Sequence, residues 1–201
     1  MFNVLDLPSV TTFSTDRNTP LSSVLSPQDT IIEMAQPHDN QLAIISERPS
    51  ASITLPDVDA VATSLSDITL IVRTADCLPI LIYHPLPVIV AIHAGRKGTE
   101  NNITLHTLST LTKHIPDPTP YKIWFGPAIC APCYEIDPIK KIHFDLIQEN
   151  KKQVHAALPT KNFTIYESKW CTACHNEQFY SYRKNNKTPL RLYSGIALTT
   201  S

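Results

Sequence analysis

A chain of 201 residues, 42% of them apolar, has room for one well-buried domain and little beyond it. Its formal net charge is −1 and its Lys and Arg form no dense run, which argues against nucleic acid or an acidic membrane surface as partner and favours small-molecule chemistry. No basic segment followed by an apolar core opens the chain, and no stretch of about 18 uninterrupted apolar residues occurs. The expectation is a cytoplasmic protein whose five cysteines serve as thiols, metal ligands or catalytic groups rather than as disulfides.

In chain order, the Ser-, Thr- and Pro-rich opening predicts one strand over 10–15 and loop over 21–29. Apolar runs predict strands at 30–35, 41–45, 59–63 and 69–73, and the polar link 36–40 places His38 on an exposed turn. Runs 78–83 and 88–92 are short, β-rich and separated by prolines, as in two buried, paired strands. Cys77 opens the first and His93 closes the second, so antiparallel pairing brings thiol and imidazole to one sheet edge. Leu105, Leu108, Leu111 and Ile115 recur at helical spacing behind an N-cap at Thr99, and a second helical pattern runs over 138–157. Further strands are predicted at 121–125, 163–166 and 191–198, with 171–183 a short helix or ordered loop. The fold expected is a single α+β domain over 1–201.

Glycine is scarce, with four against 17 prolines. Gly95, Gly98 and Gly126 are therefore expected to mark backbone with positive φ or close approach to a ligand.

Three constellations carry possible chemistry. His38, Cys77 and His93 offer two imidazoles and a thiolate, the donor set of a zinc ion with an open fourth position, although a lone His at a strand end also reads as an ordinary capped residue. Cys130-x-x-Cys133 and Cys171-x-x-Cys174 form the paired units of a structural zinc site across a gap of 37 residues; they read equally as buried small side chains. Cys171 to His175 also fits the C-x-x-C-H haem-attachment pattern, which the lack of an export signal disfavours. Gly95-Arg-Lys-Gly-Thr99 at a helix start suits an anion or an ordinary glycine turn.

Six motifs in order resemble the YfiH family, also called the laccase-domain or multicopper polyphenol oxidase family. Thr74-Ala-Asp-Cys-Leu-Pro79 resembles T-A-D-C-x-P, and His93 to Thr99 resembles H-A-G-W-R-G-T. Gln36 to Asn40 resembles Q-V-H-G-x, Asp59 to Thr63 resembles D-A-L-V-T, and Gly126 to Glu135 resembles G-P-x-I-G-P-C-C-Y-E. Cys171-Thr172 and Phe179 to Arg183 resemble C-T and F-F-S-Y-R.

The resemblance implies mixed β-sheets sandwiched between helices, with zinc on His38, Cys77 and His93 and no metal on the second cysteine set. It also implies phosphorolysis of adenosine, inosine, guanosine and methylthioadenosine, and deamination of adenosine. With purine nucleoside and phosphate as substrates, Lys97, Arg183 and the turn from Gly95 to Gly98 are the expected phosphate holders, and Asp76 and Glu135 the expected proton-transfer groups or structural acceptors. The chain departs from the family where Arg96-Lys97 replaces Trp-Arg, and where Phe13 to Thr19 lacks the glycines of F-S-T-R-x-G-G; a helix is also missing before His38. The rival readings are a hydrolase with Cys77 as nucleophile and His93 as base, an amidase editing peptidoglycan precursors, and a shortened inactive zinc-binding module. Copper is less suited than zinc, because one Cys and two His do not make the several copper sites of a laccase.

Overall fold

Apolar periodicity becomes a stack of two sheets in the computed structural model, which describes residues 4–199 apart from 6, 27, 116, 117 and 161. The strands before the first helix are β1 (Val10–Ser14), β2 (Thr30–Met34), β3 (Leu42–Ile45), β4 (Ile53–Leu55), β5 (Ala60–Thr63), β6 (Ile68–Thr74), β7 (Leu78–His84) and β8 (Val88–Ala94). Helices α1 (Arg96–Glu100) and α2 (Ile103–His114) follow, then β9 (Tyr121–Phe125), β10 (Glu135–Asp137), β11 (Ile142–His143), α3 (Leu146–Ala157), β12 (Phe163–Glu167) and β13 (Leu192–Leu198). One mixed sheet has the order β1-β13-β6-β2-β4, a second has the order β12-β9-β7-β8-β5-β3, and β10-β11 form a small ribbon.

The two larger sheets pack face to face. Ile32, Leu70, Val72 and Ile196 of the first meet Leu81, Ile89, Ala91 and Trp124 of the second. The opposite face of the six-stranded sheet, carrying Ile80, Ile82, Val90 and Ile92, is covered by Ile103, Leu108 and Leu111 of α2 and Leu146 and Val154 of α3. Strands β7 and β8 are thus buried on both faces, which is why they read as continuous apolar runs rather than alternating ones. Removing a side chain here, as in Leu81→Ala, costs about 2–5 kcal/mol through lost transfer energy and an unfilled cavity. The α+β class with mixed sheets holds, with α2 and α3 covering the outer face of the six-stranded sheet.

A polar clamp inside the helical layer fixes the segment that follows β8. Asn150 donates to Thr99 Oγ1 at 2.9 Å, Thr104 Oγ1 donates to Asn150 Oδ1 at 2.6 Å, and Gln153 Nε2 donates to the Thr99 carbonyl at 2.7 Å. These buried groups satisfy one another, so α1 is held against α2 and α3 although it has only five residues.

Three expectations change. The helix predicted from Thr99 is broken in two, because Asn102 adopts a left-handed conformation with φ 61°; Gly95, not Thr99, occupies the N-cap position. The pattern over 138–157 is helical only from Leu146, where the Asp145 side chain accepts from Gln148 N at 3.0 Å. Its first apolar residue, Ile139, is 91% exposed. No described glycine has a positive φ, so the glycines serve close approach alone. Among the described residues no helix is long and apolar enough to cross a membrane.

Candidate metal centre and pocket

Pairing of β7 with β8 puts Leu78 opposite Ala94 and Pro79 opposite His93, so Cys77, one residue before β7, lies at the same edge as His93. His38 arrives from the link between β2 and β3. The three ligand atoms lie within 4.8 Å of one another, and His38 Nε2 is 3.9 Å from Cys77 Sγ. The two imidazoles meet edge to face, with centroids 4.6 Å apart.

The backbone is strained around these side chains. Gln36, His38 and Asp76 have φ of 64°, 69° and 92°, values that L-residues adopt at a cost of about 1–3 kcal/mol each. Each is held in place. The Gln36 amide imitates a strand partner, donating to the Arg73 carbonyl at 2.7 Å and accepting from Arg73 N at 2.9 Å. His38 N donates to Asp59 Oδ1 at 3.1 Å. The Asp76 carbonyl accepts from Ile129 N at 2.9 Å, while its carboxylate accepts from Thr172 Oγ1 at 2.6 Å and Arg183 N at 2.7 Å.

Sequence reasoning did not single out Asp59, the organising residue of the site. It is fully buried immediately before β5, and its carboxylate also accepts from Asp39 N at 2.7 Å. Its Oδ1 lies 2.7 Å from His93 Nδ1. A carboxylate there fixes the proton on Nδ1 and leaves Nε2 as the lone-pair nitrogen, the arrangement of a metal-ligating histidine. The available signal was its place in the Asp59 to Thr63 motif.

The residues fit a metal ion on steric and electrostatic grounds. A Cβ on Gly95 would stand 2.9 Å from His38 Cδ2 and 3.1 Å from Cys77 Sγ, so only glycine lets the backbone pass this close to the donor cluster. Tetrahedral zinc bonds imply an N to S separation of about 3.5 Å, close to that between His38 and Cys77. Burial pushes the Cys77 thiol up to about 12; the Asp76 and Asp59 charges push the same way and Arg191 opposes them. Burial also holds His93 below its ordinary value, against the hydrogen bond it donates to Asp59, with His38 adding to the lowering. A cation held between these groups would favour the thiolate and use the neutral imidazole.

The cluster opens into a pocket of about 730 Å³. Asp76, Lys97 and Arg183 of the expected set line it, with Arg96 of the Gly95 to Gly98 turn, as do two arginines not anticipated, Arg73 and Arg191. Glu135 is not among the lining residues; its carbonyl accepts from Arg183 Nη1 at 2.8 Å. Arg96 pairs with Glu100 at 2.9 Å, whereas Lys97 has no hydrogen-bond or ion-pair partner among the described residues. Tyr134 and Tyr182 also face the cavity, with the Arg183 guanidinium 5.4 Å from the Tyr134 ring centre and that of Arg191 6.0 Å from Tyr182.

The second cysteine set, which the resemblance ruled out as a metal site, also converges: the sulfurs of Cys130, Cys133, Cys171 and Cys174 lie within 4.8 Å of one another. Cys171 and Cys174 are directed at the other pair rather than left together beside His175, as the haem-attachment pattern requires.

The sequence profile of the family described as multi-copper polyphenol oxidoreductase laccase matches residues 11–199. Among characterised relatives, the purine nucleoside phosphorylase Cj1217c of Campylobacter jejuni is 32% identical over 177 residues, covering 82% of this chain and 76% of that protein. Adenosine deaminase RL5, from an unknown prokaryotic organism, is 29% identical over 198 residues, covering 84% of this chain and 75% of its own length. The fold is shared with YfiH of Bacillus licheniformis, at a TM-score of 0.80 and 19% identity over 97% of this chain and 98% of that one. YlmD of Geobacillus stearothermophilus superposes with a TM-score of 0.77 at 25% identity, over 90% of this chain and 78% of its own.

Proposed function

The chain belongs to the multi-copper polyphenol oxidoreductase laccase family, and from that premise we propose that it is a zinc-dependent enzyme of purine nucleosides. In this reading it is a phosphorylase for adenosine, inosine, guanosine and methylthioadenosine that also deaminates adenosine. The observation that carries the reading is the His38, Cys77 and His93 cluster, braced by Asp59, at one wall of a pocket lined by five cationic side chains.

His38, Cys77 and His93 would hold the zinc, which when bound supplies a Lewis acid and leaves one position for substrate or water. Lys97 has no competing partner among the described residues, so its ammonium is available to an anion; Arg183 adds a guanidinium on the same cavity. Together they would hold phosphate for attack on the sugar. In phosphorolysis a phosphate oxygen bonds to C1′ as the C1′–N9 bond breaks; the purine takes the electron pair and a proton, leaving ribose 1-phosphate. Tyr134 and Tyr182 offer ring faces for the purine. In deamination, water adds at C6 and ammonia leaves, giving inosine.

Asp76 has both carboxylate oxygens engaged by Thr172 and Arg183 N, so its role is positioning: it fixes the backbone at Arg183 beside the donor cluster. Glu135 orients the same guanidinium through its carbonyl. The Cys77 nucleophile reading is disfavoured by a thiol pushed up to about 12, since nucleophilic cysteines need the opposite shift. Laccase chemistry finds no support in the donor sets, which among the described residues are one His-Cys-His group and one all-thiol group.

Chromatography of adenosine incubated with zinc-loaded protein, with and without phosphate, tests the proposal. Adenine released only with phosphate identifies phosphorolysis, and inosine formed without phosphate identifies deamination. Unchanged adenosine in both, from protein carrying stoichiometric zinc lost in Cys77→Ala, overturns it.

A further inference from the structure

We propose that Cys130, Cys133, Cys171 and Cys174 form a second, closed metal site that holds one zinc ion as a tetrathiolate and ties together the two turns that hold Asp76. The site is independent of the nucleoside reading, because its four sulfurs are separate from the His38, Cys77 and His93 group.

Two turns present the thiols. Cys133 closes a single 3₁₀ turn, with its N donating to the Cys130 carbonyl at 3.0 Å; Cys171 opens a second turn, its carbonyl accepting from His175 N at 3.0 Å. A bridge between Ala128 and Cys171 lays the turns side by side, with Thr172 N donating to the Ala128 carbonyl at 3.1 Å. This pairing closes the long sequence gap that obscures the motif. Tetrahedral zinc with four thiolates requires sulfurs about 3.8 Å apart. Cys133 and Cys174 are 3.4 Å apart and all four lie within 4.8 Å, so binding needs little movement. The 3.4 Å separation is well beyond the roughly 2.05 Å of a disulfide.

A second observation points to an anionic sulfur. Cys171 Sγ accepts from two backbone N–H groups, Cys130 N at 3.3 Å and Cys174 N at 3.4 Å. Backbone N–H donation to sulfur is the outer support that orients and stabilises thiolate ligands. Zinc binding converts four thiols to thiolates with release of their protons, and four sulfurs leave no position for substrate, so the ion is structural.

The location gives the ion its use. Thr172, next to Cys171, donates to Asp76 Oδ1, and Ile129, next to Cys130, donates to the Asp76 carbonyl. Both turns therefore grip the strained residue that precedes Cys77. The second ion would act as a staple beneath the first.

Elemental analysis and native mass spectrometry of the protein purified without chelator test this. The expected result is two zinc ions per chain, one lost in His38→Ala and the other in Cys133→Ser and in Cys174→Ser. On the wild-type protein, whether or not those variants fold, thiol labelling gives a second reading: Cys174 is exposed, so a free thiol there reacts at once, whereas a ligated one reacts only as zinc is released to a chelator. Cobalt replacement should give sulfur-to-metal charge transfer that largely survives His38→Ala. One zinc per chain unaffected by both serine variants, immediate labelling of Cys174, disulfides in the intact mass, or iron at the four cysteines would each overturn the proposal.

Discussion

Asp59 and His93 are joined by a 2.7 Å hydrogen bond between two side chains that solvent scarcely reaches. Because the same carboxylate also accepts from His38 N and Asp39 N, one residue sets the tautomer of one expected ligand and the backbone of another. Replacing Asp59 by Asn keeps the volume but removes the charge and one acceptor oxygen. The expected result is a 10- to 100-fold weaker zinc affinity, as found when an outer carboxylate partner of a ligating histidine is lost. Competition with a chromophoric chelator measures it; an affinity within twofold of wild type would remove Asp59 from the metal centre.

Gly95 makes a different demand on the same atoms. Its φ of −77° suits any residue, so Gly95→Ala introduces no backbone strain, and only the contacts of the new methyl with His38 and Cys77 matter. The donors must move apart by some tenths of an ångström. Stability should fall by about 1–3 kcal/mol through overpacking, and stoichiometric zinc should be lost while the far-ultraviolet circular dichroism is kept. Full zinc occupancy in Gly95→Ala would show that the donors do not close on an ion in this geometry.

The sequence made the sheets and the cluster legible for related reasons. Doubly buried β7 and β8 leave uninterrupted apolar runs, and Cys77 and His93 end those runs, so one inference gave both the hairpin and two members of the site. Asp59 left no such mark, because a buried acid before a strand has no periodicity and shows its meaning only through three N–H groups from elsewhere in the chain. Arg73 and Arg191 of the pocket were equally silent: they reach one cavity only because β6 pairs with β13. The break at Asn102 rests on one left-handed residue within a good helical pattern. For the four cysteines the bare spacing pointed to a cluster that the family resemblance argued away.

Cys77 separates the metal reading from the nucleophile reading by its reactivity. With burial pushing its thiol up to about 12, roughly one molecule in 10⁴ carries the thiolate at pH 8 once metal is removed. Chelator-treated protein should therefore alkylate at the exposed Cys174 long before Cys77, and Cys77 labelling should speed up about tenfold per pH unit until the protein unfolds. Peptide mapping after brief iodoacetamide treatment gives the order. Cys77 labelled first would mean an activated thiol and would revive the hydrolase reading.

Lys97 offers the sharpest division between the two proposed activities. It lines the pocket with no partner among the described residues, so its removal leaves no buried acid uncompensated and should not disturb the fold. A charge-assisted hydrogen bond to phosphate contributes about 1.5–3 kcal/mol, which corresponds to roughly a 10- to 150-fold change in a binding constant. Lys97→Met should therefore raise the KM for phosphate within that range. The KM for adenosine should change by less than threefold, because the proposal seats the purine on Tyr134 and Tyr182, away from the phosphate. Deamination needs no phosphate and should persist at near wild-type rate, so the ratio of adenine to inosine formed from adenosine at fixed phosphate should fall at least tenfold. Equal loss of both products would instead place Lys97 at the chemistry common to the two reactions, and an unchanged ratio would move the phosphate from Lys97 to the arginines of the pocket.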